Sequence, residues 1–362
     1  MAAVPDSRSA AQADVPAPQT GATEPDPNHL GGPDSPPPAV WLRGVTKNFG
    51  SVEAVRGIDL DVRAGETFGF LGPNGAGKST TIKILCTLLT PSGGDARVAG
   101  FDVRTERQAV RRHIGLVFQE PTLDGYLTAE QNLRFHCELY GVPRAKAVER
   151  RTEVLDMVGL QDRRNDLVNT FSGGMRRRLE IARGLLHSPR VLFLDEPTIG
   201  LDPQTRSSIW TYINELHNRE DITVFVTTHY MDEAENCDRI AIIDNGQIVA
   251  LGTPAELKAR VGKDRVQLAT DDDEAAIRAI KERFDIDAAM HERKVTVMVE
   301  DGAAFVPRLV TELGLPVLSV NVTRPSLDDV FLTYTGRTIR DAEGALSGNA
   351  MFAAAWRGRG GR

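Results

Sequence analysis

Gly72-Pro73-Asn74-Gly75-Ala76-Gly77-Lys78-Ser79 follows the short apolar run Thr67-Phe68-Gly69-Phe70-Leu71 and leads into residues 80–89, which read as a helix. The spacing is G-x-x-x-x-G-K-[ST]. Its glycines let backbone N–H groups close around phosphate oxygens without a Cβ in the way. The helix that follows aims its positive end at the same anion. Lys78 supplies a charge for the β- and γ-phosphates, and the Ser79 hydroxyl suits Mg²⁺. A chain of this composition yields about 0.007 such matches by chance, and here a strand precedes and a helix follows, as a phosphate cradle requires. A Gly-rich turn without a ligand is the weaker reading.

A second element is Val191-Leu192-Phe193-Leu194-Asp195-Glu196. It reads as a buried strand that delivers two carboxylates at its C-terminal end, where ligands sit in open α/β sheets. Asp195 is placed to hold Mg²⁺ through water, and Glu196 to polarise an attacking water. Alone, such an ending is equally a solvated strand terminus. The cradle upstream tips the balance to chemistry. In Phe171-Ser172-Gly173-Gly174-Met175, Ser172 can cap the helix that follows, and two glycines leave its first N–H groups bare. That is a second anion-binding helix start, although a plain N-cap also accounts for Ser-Gly-Gly. Arg176-Arg177-Arg178 reads as a solvated helix face, with acidic lipid or a partner loop as the sharper option.

The chain has 362 residues, 41% apolar and 26% charged, with a net charge of −7. That is enough for two or three domains of an ordinary globular protein. It gives no polycationic surface for nucleic acid. Cys86, Cys137 and Cys237 lie far apart and make neither a disulfide framework nor a zinc set. The first ten residues lack a signal peptide's pattern, and no apolar stretch approaches the ~20 residues that span a bilayer. Residues 1–38 hold nine of the 20 prolines and are expected to be a disordered tail. Strands and helices alternate over 39–260, with further strands at 40–42, 58–62 and 223–226 and a helical subdomain at about 120–187. Thr128-x-x-Gln131 fits a capping box. Strands at 265–269, 294–299 and 316–322 with helices at 272–284 and 302–313 predict a small α+β domain of the split βαβ kind over 261–338. Residues 339–362 read as a flexible basic tail.

Phe49, the cradle, Gln119, the Phe171 to Met175 phrase, Asp195-Glu196, Gly200-Leu201-Asp202 and His229 occur here in the order found in the ABC ATPases. Over about residues 40–258 the chain resembles that family. The family signature is usually Leu-Ser-Gly-Gly-Gln, so Phe171 and Met175 depart from it, while Ser172, Gly173 and Gly174 remain. The resemblance implies an α/β ATPase domain of the P-loop ABC type that binds ATP and Mg²⁺. It implies a head-to-tail homodimer in which each ATP lies between one cradle and the opposite signature residues, Ser172, Gly173 and Gly174. Phe49 would stack on adenine. Gly72, Pro73, Asn74, Gly75, Ala76, Gly77, Lys78, Ser79 and Thr80 would hold the phosphates. Gln119 would sense Mg²⁺ and the γ-phosphate, sharing the metal with Ser79 and Asp195. Asp202 would shape the dimer contact. His229 would bond the γ-phosphate and hold Glu196 and the water in place, so that Lys78, Glu196 and His229 carry the catalysis.

Thr227-Thr228-His229-Tyr230-Met231-Asp232-Glu233-Ala234-Glu235 and the stretch from Phe171 to Arg178 resemble the daunorubicin-resistance ATP-binding subunit family. So does Pro325-Ser326-Leu327-Asp328-Asp329-Val330-Phe331-Leu332-Thr333-Tyr334-Thr335-Gly336-Arg337, which extends the likeness to about residue 340. This implies the motor of a bacterial drug exporter, peripheral on the cytoplasmic side of the cell membrane. It would touch the membrane through a separate polytopic permease and have no nucleic-acid partner. The C-terminal domain is implied to assist dimerisation or closure. In such transporters the helical subdomain forms a groove for a coupling helix of the permease. Tyr126, Leu127, Phe135 and Tyr140 suit that docking, although core packing explains them equally. The alternatives are a non-transport ATPase acting on ribosomes or DNA, and the motor of an importer or of a lipid or polysaccharide exporter. Too few residues separate Ser79 from Ser172 for the long coiled coil of chromosome-associated members, and one cradle is fewer than ribosome-associated members usually carry.

Overall fold

Buried Val40 and Leu42 alternate with half-exposed Trp41 and Arg43, the period of a strand with one covered face. This strand, β1 (Val40–Phe49), turns tightly into β2 (Val52–Val62) and pairs with it antiparallel. The structure is a computed structural model that describes residues 37–336 apart from 221, 292 and 293. Of the tail expected over 1–38, residues 1–36 lie outside the described residues, as does the tail expected over 339–362.

The chain then enters the middle of the molecule as β3 (Thr67–Leu71), every residue of it buried. The cradle follows, and α1 (Lys78–Leu85) starts at the cradle lysine, ending short of residue 89. Next, β4 (Gly93–Val98) and β5 (Phe101–Asp102) complete an antiparallel sheet of order β2-β1-β4-β5. After α2 (Arg107–His113) and β6 (Ile114–Val117) comes the helical subdomain: α3 (Ala129–Leu139), α4 (Arg144–Met157) and α5 (Gly173–Leu185). Thr128 and Gln131 form the expected capping box on α3.

The second half of this domain is β7 (Val191–Asp195), α6 (Pro203–Glu220), β8 (Thr223–Thr228), α7 (Met231–Ala234), β9 (Arg239–Asp244) and β10 (Gln247–Gly252). The larger sheet runs β10-β9-β3-β8-β7-β6, parallel except for the antiparallel edge strand β10. β7 and β8 are buried along their whole length, with apolar stretches at 191–194 and 224–226, because both faces are covered. On one face Phe68, Phe70, Phe193 and Phe225 pack against the antiparallel sheet and α1. On the other, Leu192, Leu194 and Val226 pack against the helical subdomain. The C-terminal ends of β3, β6, β7 and β8 share one edge. The cradle, Gln119, Asp195-Glu196 and His229 therefore emerge together, far apart in sequence and adjacent in the sheet.

Beyond α8 (Pro254–Val261) the order is β11 (Asp264–Thr270), α9 (Asp273–Phe284), β12 (Ala288–His291), β13 (Lys294–Val299), α10 (Gly302–Glu312) and β14 (Val317–Thr323). The antiparallel sheet β12-β13-β11-β14 has the strand order of a split βαβ unit. Val266, Leu268, Val295 and Val297 line its covered face and form a separate core with Ile280, Phe305 and Leu309. β12 is short and Ala-rich, and the sequence reading missed it. The last helix among the described residues, α11 (Leu327–Thr335), leaves that core. Its Leu327, Val330 and Phe331 are buried with Leu257 of α8 and Ala250 of β10, in the core of the ATPase-like domain.

Candidate nucleotide site

Gly77 caps α1 in the left-handed region at φ +110°, and an added Cβ would meet the Ala54 carbonyl at 2.6 Å. Only glycine fits, and no side chain caps the helix, so its first N–H groups face the cradle uncapped. Lys78 is buried. Its ammonium uses all three donors inward: to the carbonyls of Gly72 at 2.7 Å and Pro73 at 3.1 Å, and to Glu196 Oε1 at 3.1 Å. The loop is thereby held open around a positive charge.

Ser79 Oγ donates to Asp195 Oδ1 at 3.2 Å, which joins the cradle to the end of β7. The same Oδ1 accepts from the Thr227 hydroxyl at 2.6 Å, and that hydroxyl accepts from the Glu196 amide at 3.0 Å. Thr227 thus sets Asp195 and Glu196 relative to each other, a role the sequence reading did not give it. Glu196 itself has φ +46°, a left-handed conformation that costs a non-glycine residue about 1–2 kcal/mol and that its surroundings must enforce. Its Oε2 lies 3.4 Å from His229 Nδ1, longer than a normal hydrogen bond, and both atoms are buried without hydrogen-bond partners among the described residues. Burial pushes the Glu196 carboxyl up, but His229 and Lys78 outweigh it and hold the group below its ordinary 4.5. The carboxylate is ionised with one oxygen open.

Sequence reasoning took Arg176 to Arg178 as a solvated face, and the structure corrects this. Arg176 is exposed and Arg178 half-buried. Arg178 donates to the Val158 carbonyl and the Tyr212 hydroxyl, both at 2.9 Å. Arg177 is buried, and its guanidinium reaches the Phe118, Asp195, Glu196 and Pro197 carbonyls and Glu180 at 2.5–3.2 Å. Helical spacing carried the signal: Arg177 follows buried Gly174 by three residues and precedes buried Ile181 by four, on the inward stripe of α5.

Glu233 was also missed. Its buried carboxylate accepts from the hydroxyls of Thr198 and Thr228, joining the segment after Glu196 to the end of β8 just before His229. Burial pushes this carboxyl up.

The remaining sequence-derived residues are dispersed. Phe49 is half-exposed at the end of β1, with the Lys47 ammonium 5.1 Å from its ring centre. Gln119 is exposed, one residue beyond the carbonyl held by Arg177. Ser172 caps α5, accepting from the Met175 amide. A Cβ on Gly174 would strike Thr205 Cγ2 at 2.5 Å, so glycine is required for α6 to approach. Phe171 is buried in the core, and Met175 packs against it. Asp202 accepts from the Thr205 amide at 3.0 Å and hydroxyl at 2.6 Å and so caps the start of α6.

A cavity of about 480 Å³ opens between β6, α3 and α5. Leu88, Leu127, Phe135, Leu139 and Tyr140 are among its lining residues, and all but Leu127 are exposed. Tyr126 is exposed but outside the lining. Burial, with Arg183 and His187 nearby, pushes His136 in the wall down to about 3, so that wall residue is uncharged at neutral pH.

Residues 55–199 match the ABC transporter family model, and 252–335 match that of the C-terminal domain of DrrA1-3-like ATP-binding proteins. The linearmycin resistance ATP-binding protein LnrL of Bacillus subtilis is 40% identical over 82% of this chain and 98% of its own. The daunorubicin/doxorubicin resistance ATP-binding protein DrrA of Streptomyces peucetius is 42% identical over 84% of this chain and 95% of its own. Among solved structures, an ATP-binding cassette dimer bound to ADP and Pi is 30% identical with a TM-score of 0.54, covering 59% of this chain and 98% of that one. The cbiO1 subunit of Clostridium perfringens is 27% identical with a TM-score of 0.59, covering 69% of this chain and 97% of that one. With an ATP-binding cassette and the DrrA-type C-terminal domain in one chain, the protein belongs to the DrrA-like ATP-binding proteins of ABC transporters.

Proposed function

We propose that this chain is the ATP-hydrolysing motor of a bacterial exporter of antibiotics or related drugs, working as a head-to-tail homodimer under a separate polytopic permease. The observation that carries the hydrolytic part is Glu196: buried, ionised, with one oxygen open beside His229. The cargo class is supported by the relatives, which are named for linearmycin and for daunorubicin or doxorubicin resistance. Among the described residues no helix is long and apolar enough to cross a membrane. The motor sits on the cytoplasmic side of the cell membrane and reaches it through the permease.

In this reading the cradle amides and Lys78 hold the triphosphate, and Phe49 stacks on the adenine. Ser79 Oγ and Asp195 Oδ1 are hard oxygens 3.2 Å apart, the donor pair that fits Mg²⁺, with Gln119 beside them. When bound, Mg²⁺ neutralises charge on the phosphates. Glu196 Oε2 takes a proton from the attacking water, and His229 fixes that carboxylate and the γ-phosphate. Ser172, Gly173 and Gly174 of the partner complete the site, and Asp202 lies at the dimer contact. ATP binds the closed dimer better than the open one, and hydrolysis removes that difference.

The test is co-purification of the Glu196→Gln variant with ATP and Mg²⁺ from gently solubilised host membranes. A polytopic membrane protein in roughly equal amount is expected. Ribosomal proteins, or a self-dimer alone, would reject the exporter reading.

The pH profile is a second check. In the free protein Lys78 helps to hold Glu196 ionised. Bound triphosphate shares that charge, so the carboxyl rises toward neutrality in the complex. The acid limb of kcat/KM, which reports the free enzyme, is therefore expected below pH 4.5, and that of kcat at higher pH. An acid limb of kcat at or below that of kcat/KM would contradict the arrangement.

The cavity by α3 and α5 takes the coupling helix of the permease, apolar side inward. Phe135→Asp and Leu139→Asp alter exposed positions and leave the core untouched. Each is expected to weaken permease binding by about 30-fold, the cost of losing one interface anchor, with ATP binding unchanged. Unaltered co-purification of the permease would place the docking site elsewhere.

A further inference from the structure

Among the described residues, Arg177 is the one whose side chain reaches the Gln119 loop, the Glu196 turn and the helix of the signature at once. It projects from α5, one turn past Ser172, Gly173 and Gly174. Nη1 donates to the Phe118 carbonyl, immediately before Gln119. Nη2 donates to the Asp195 and Glu196 carbonyls, both at 3.2 Å, and Nε to that of Pro197 at 2.6 Å. Nη1 also meets Glu180 Oε2 at 3.0 Å, and Glu180 Oε1 accepts from the Thr122 amide at 2.7 Å on the far side of the Gln119 loop. Only a planar fork of fixed donors can hold four carbonyls from two segments together. The Glu196 backbone needs such a hold, because it is bent into the left-handed region.

We propose that Arg177 is a positioning residue that locks the hydrolytic turn of one protomer to the signature helix which the same protomer presents to its partner's ATP. Resting on the head-to-tail dimer of the proposed function, this makes the two nucleotide sites mechanically dependent. When the signature helix seats on the partner's nucleotide, the guanidinium carries that placement to the carbonyls flanking Glu196 and to the start of the Gln119 loop. Each site becomes competent only when the helix of its own chain is seated on the other. The ion pair with Glu180 keeps the fork in plane, and the Thr122 contact extends the tie to the loop beside the permease cavity.

The experiment compares full-length wild type with Arg177→Lys, Arg177→Met and Glu180→Gln. It reads melting temperature, ATP affinity, and steady-state ATPase against ATP concentration. A lysine keeps the charge but reaches one or two carbonyls, so Arg177→Lys is not expected to rescue. For both Arg177 variants kcat is expected to fall about 100-fold, the cost of misplacing a reacting group by about an ångström, with ATP affinity within about threefold. Wild type is expected to show a Hill coefficient approaching 2 for two coupled sites, and the Arg177 variants one near 1. Glu180→Gln keeps an acceptor and the packing but removes the countercharge of buried Arg177, so it is expected to fold with a lowered melting temperature and, in the folded protein, to lose about tenfold in kcat at unchanged affinity. A merely structural Arg177 would lower the melting temperature and leave kcat and cooperativity of the folded fraction intact, which would overturn the proposal. Wild-type kcat in Glu180→Gln would do the same should the Arg177 variants fail to fold. Absence of an ATP-dependent dimer in Glu196→Gln would sink the head-to-tail reading itself. A dimer there together with a cooperative, fully active Arg177→Lys would sink only this inference.

Discussion

Glu196→Gln lowers steady-state ATP hydrolysis by about 100- to 10,000-fold, the range that removal of a general base commands. Glutamine fills the same space and can still face His229, but it cannot take the proton of the attacking water. Binding is spared, because the cradle amides, Lys78 and Ser79 are untouched. ATP therefore accumulates in a closed dimer, which size-exclusion chromatography with ATP and Mg²⁺ resolves from the nucleotide-free protein. The substitution also removes the negative partner of a buried ammonium. Lys78 keeps the Gly72 and Pro73 carbonyls but loses its countercharge, a change of about 3 kcal/mol when one member of a buried ion pair is deleted. The triphosphate returns that countercharge. The variant is thus expected to melt below wild type without nucleotide and to gain more than wild type from ATP. Near-wild-type turnover would take Glu196 out of the hydrolytic role.

Phe331→Ala has the largest expected effect on stability. Phe331 is fully buried with Leu327, Val330 and Leu257, in the same core as the strands that carry Asp195 and Thr227. Truncating a packed phenylalanine costs about 3–5 kcal/mol, against a total of about 5–15 kcal/mol for a folded protein. The midpoint of denaturant unfolding of the ATP-binding domain, followed by loss of nucleotide binding, is expected to drop accordingly. Deletion of everything after residue 260 removes all of α11 and is expected to do at least as much. If nucleotide binding survives to the same denaturant concentration in either variant, α11 is not part of that core. These outcomes separate two views of the C-terminal region. As an independent appendage it would be dispensable to the ATPase. As packed here, its helix α11 helps to hold the ATPase together.

Much of this molecule was legible because its chemistry is local. The cradle spacing, the apolar runs of β7 and β8, the capping box at Thr128 and the alternation in the C-terminal strands each depend on neighbours within a few residues. Five of the six C-terminal elements expected or found between residues 264 and 323 coincide with the sequence reading to within a residue or two, and only β12 was absent from it. What could not be read lies in contacts between segments distant in sequence. Nothing near Glu233 announces that Thr198, 35 residues earlier, will share its carboxylate. Three consecutive arginines look like solvent-facing charge, because burying a guanidinium is costly unless every donor is met. Arg177 meets that condition with carbonyls from residues 118 and 195–197, brought together only by the parallel sheet. Likewise the Ser326 capping box predicts that α11 begins, but not which core receives it.

The placement of α11 bears on how this protein is made. Synthesis proceeds from the N-terminus at about 5–20 residues per second, so roughly 4–15 s separate the emergence of α8 from that of α11. Throughout that interval the groove for α11 beside Leu257 is open, and the nascent chain already carries its complete phosphate-binding loop. A message broken between the codons for residues 262 and 327 therefore yields a product with every nucleotide-contacting residue and an unfinished interior. Such a product is a substrate for proteases before it is a competitor for the permease. A helix made long after the nucleotide-contacting residues thus acts as a completeness check on the motor.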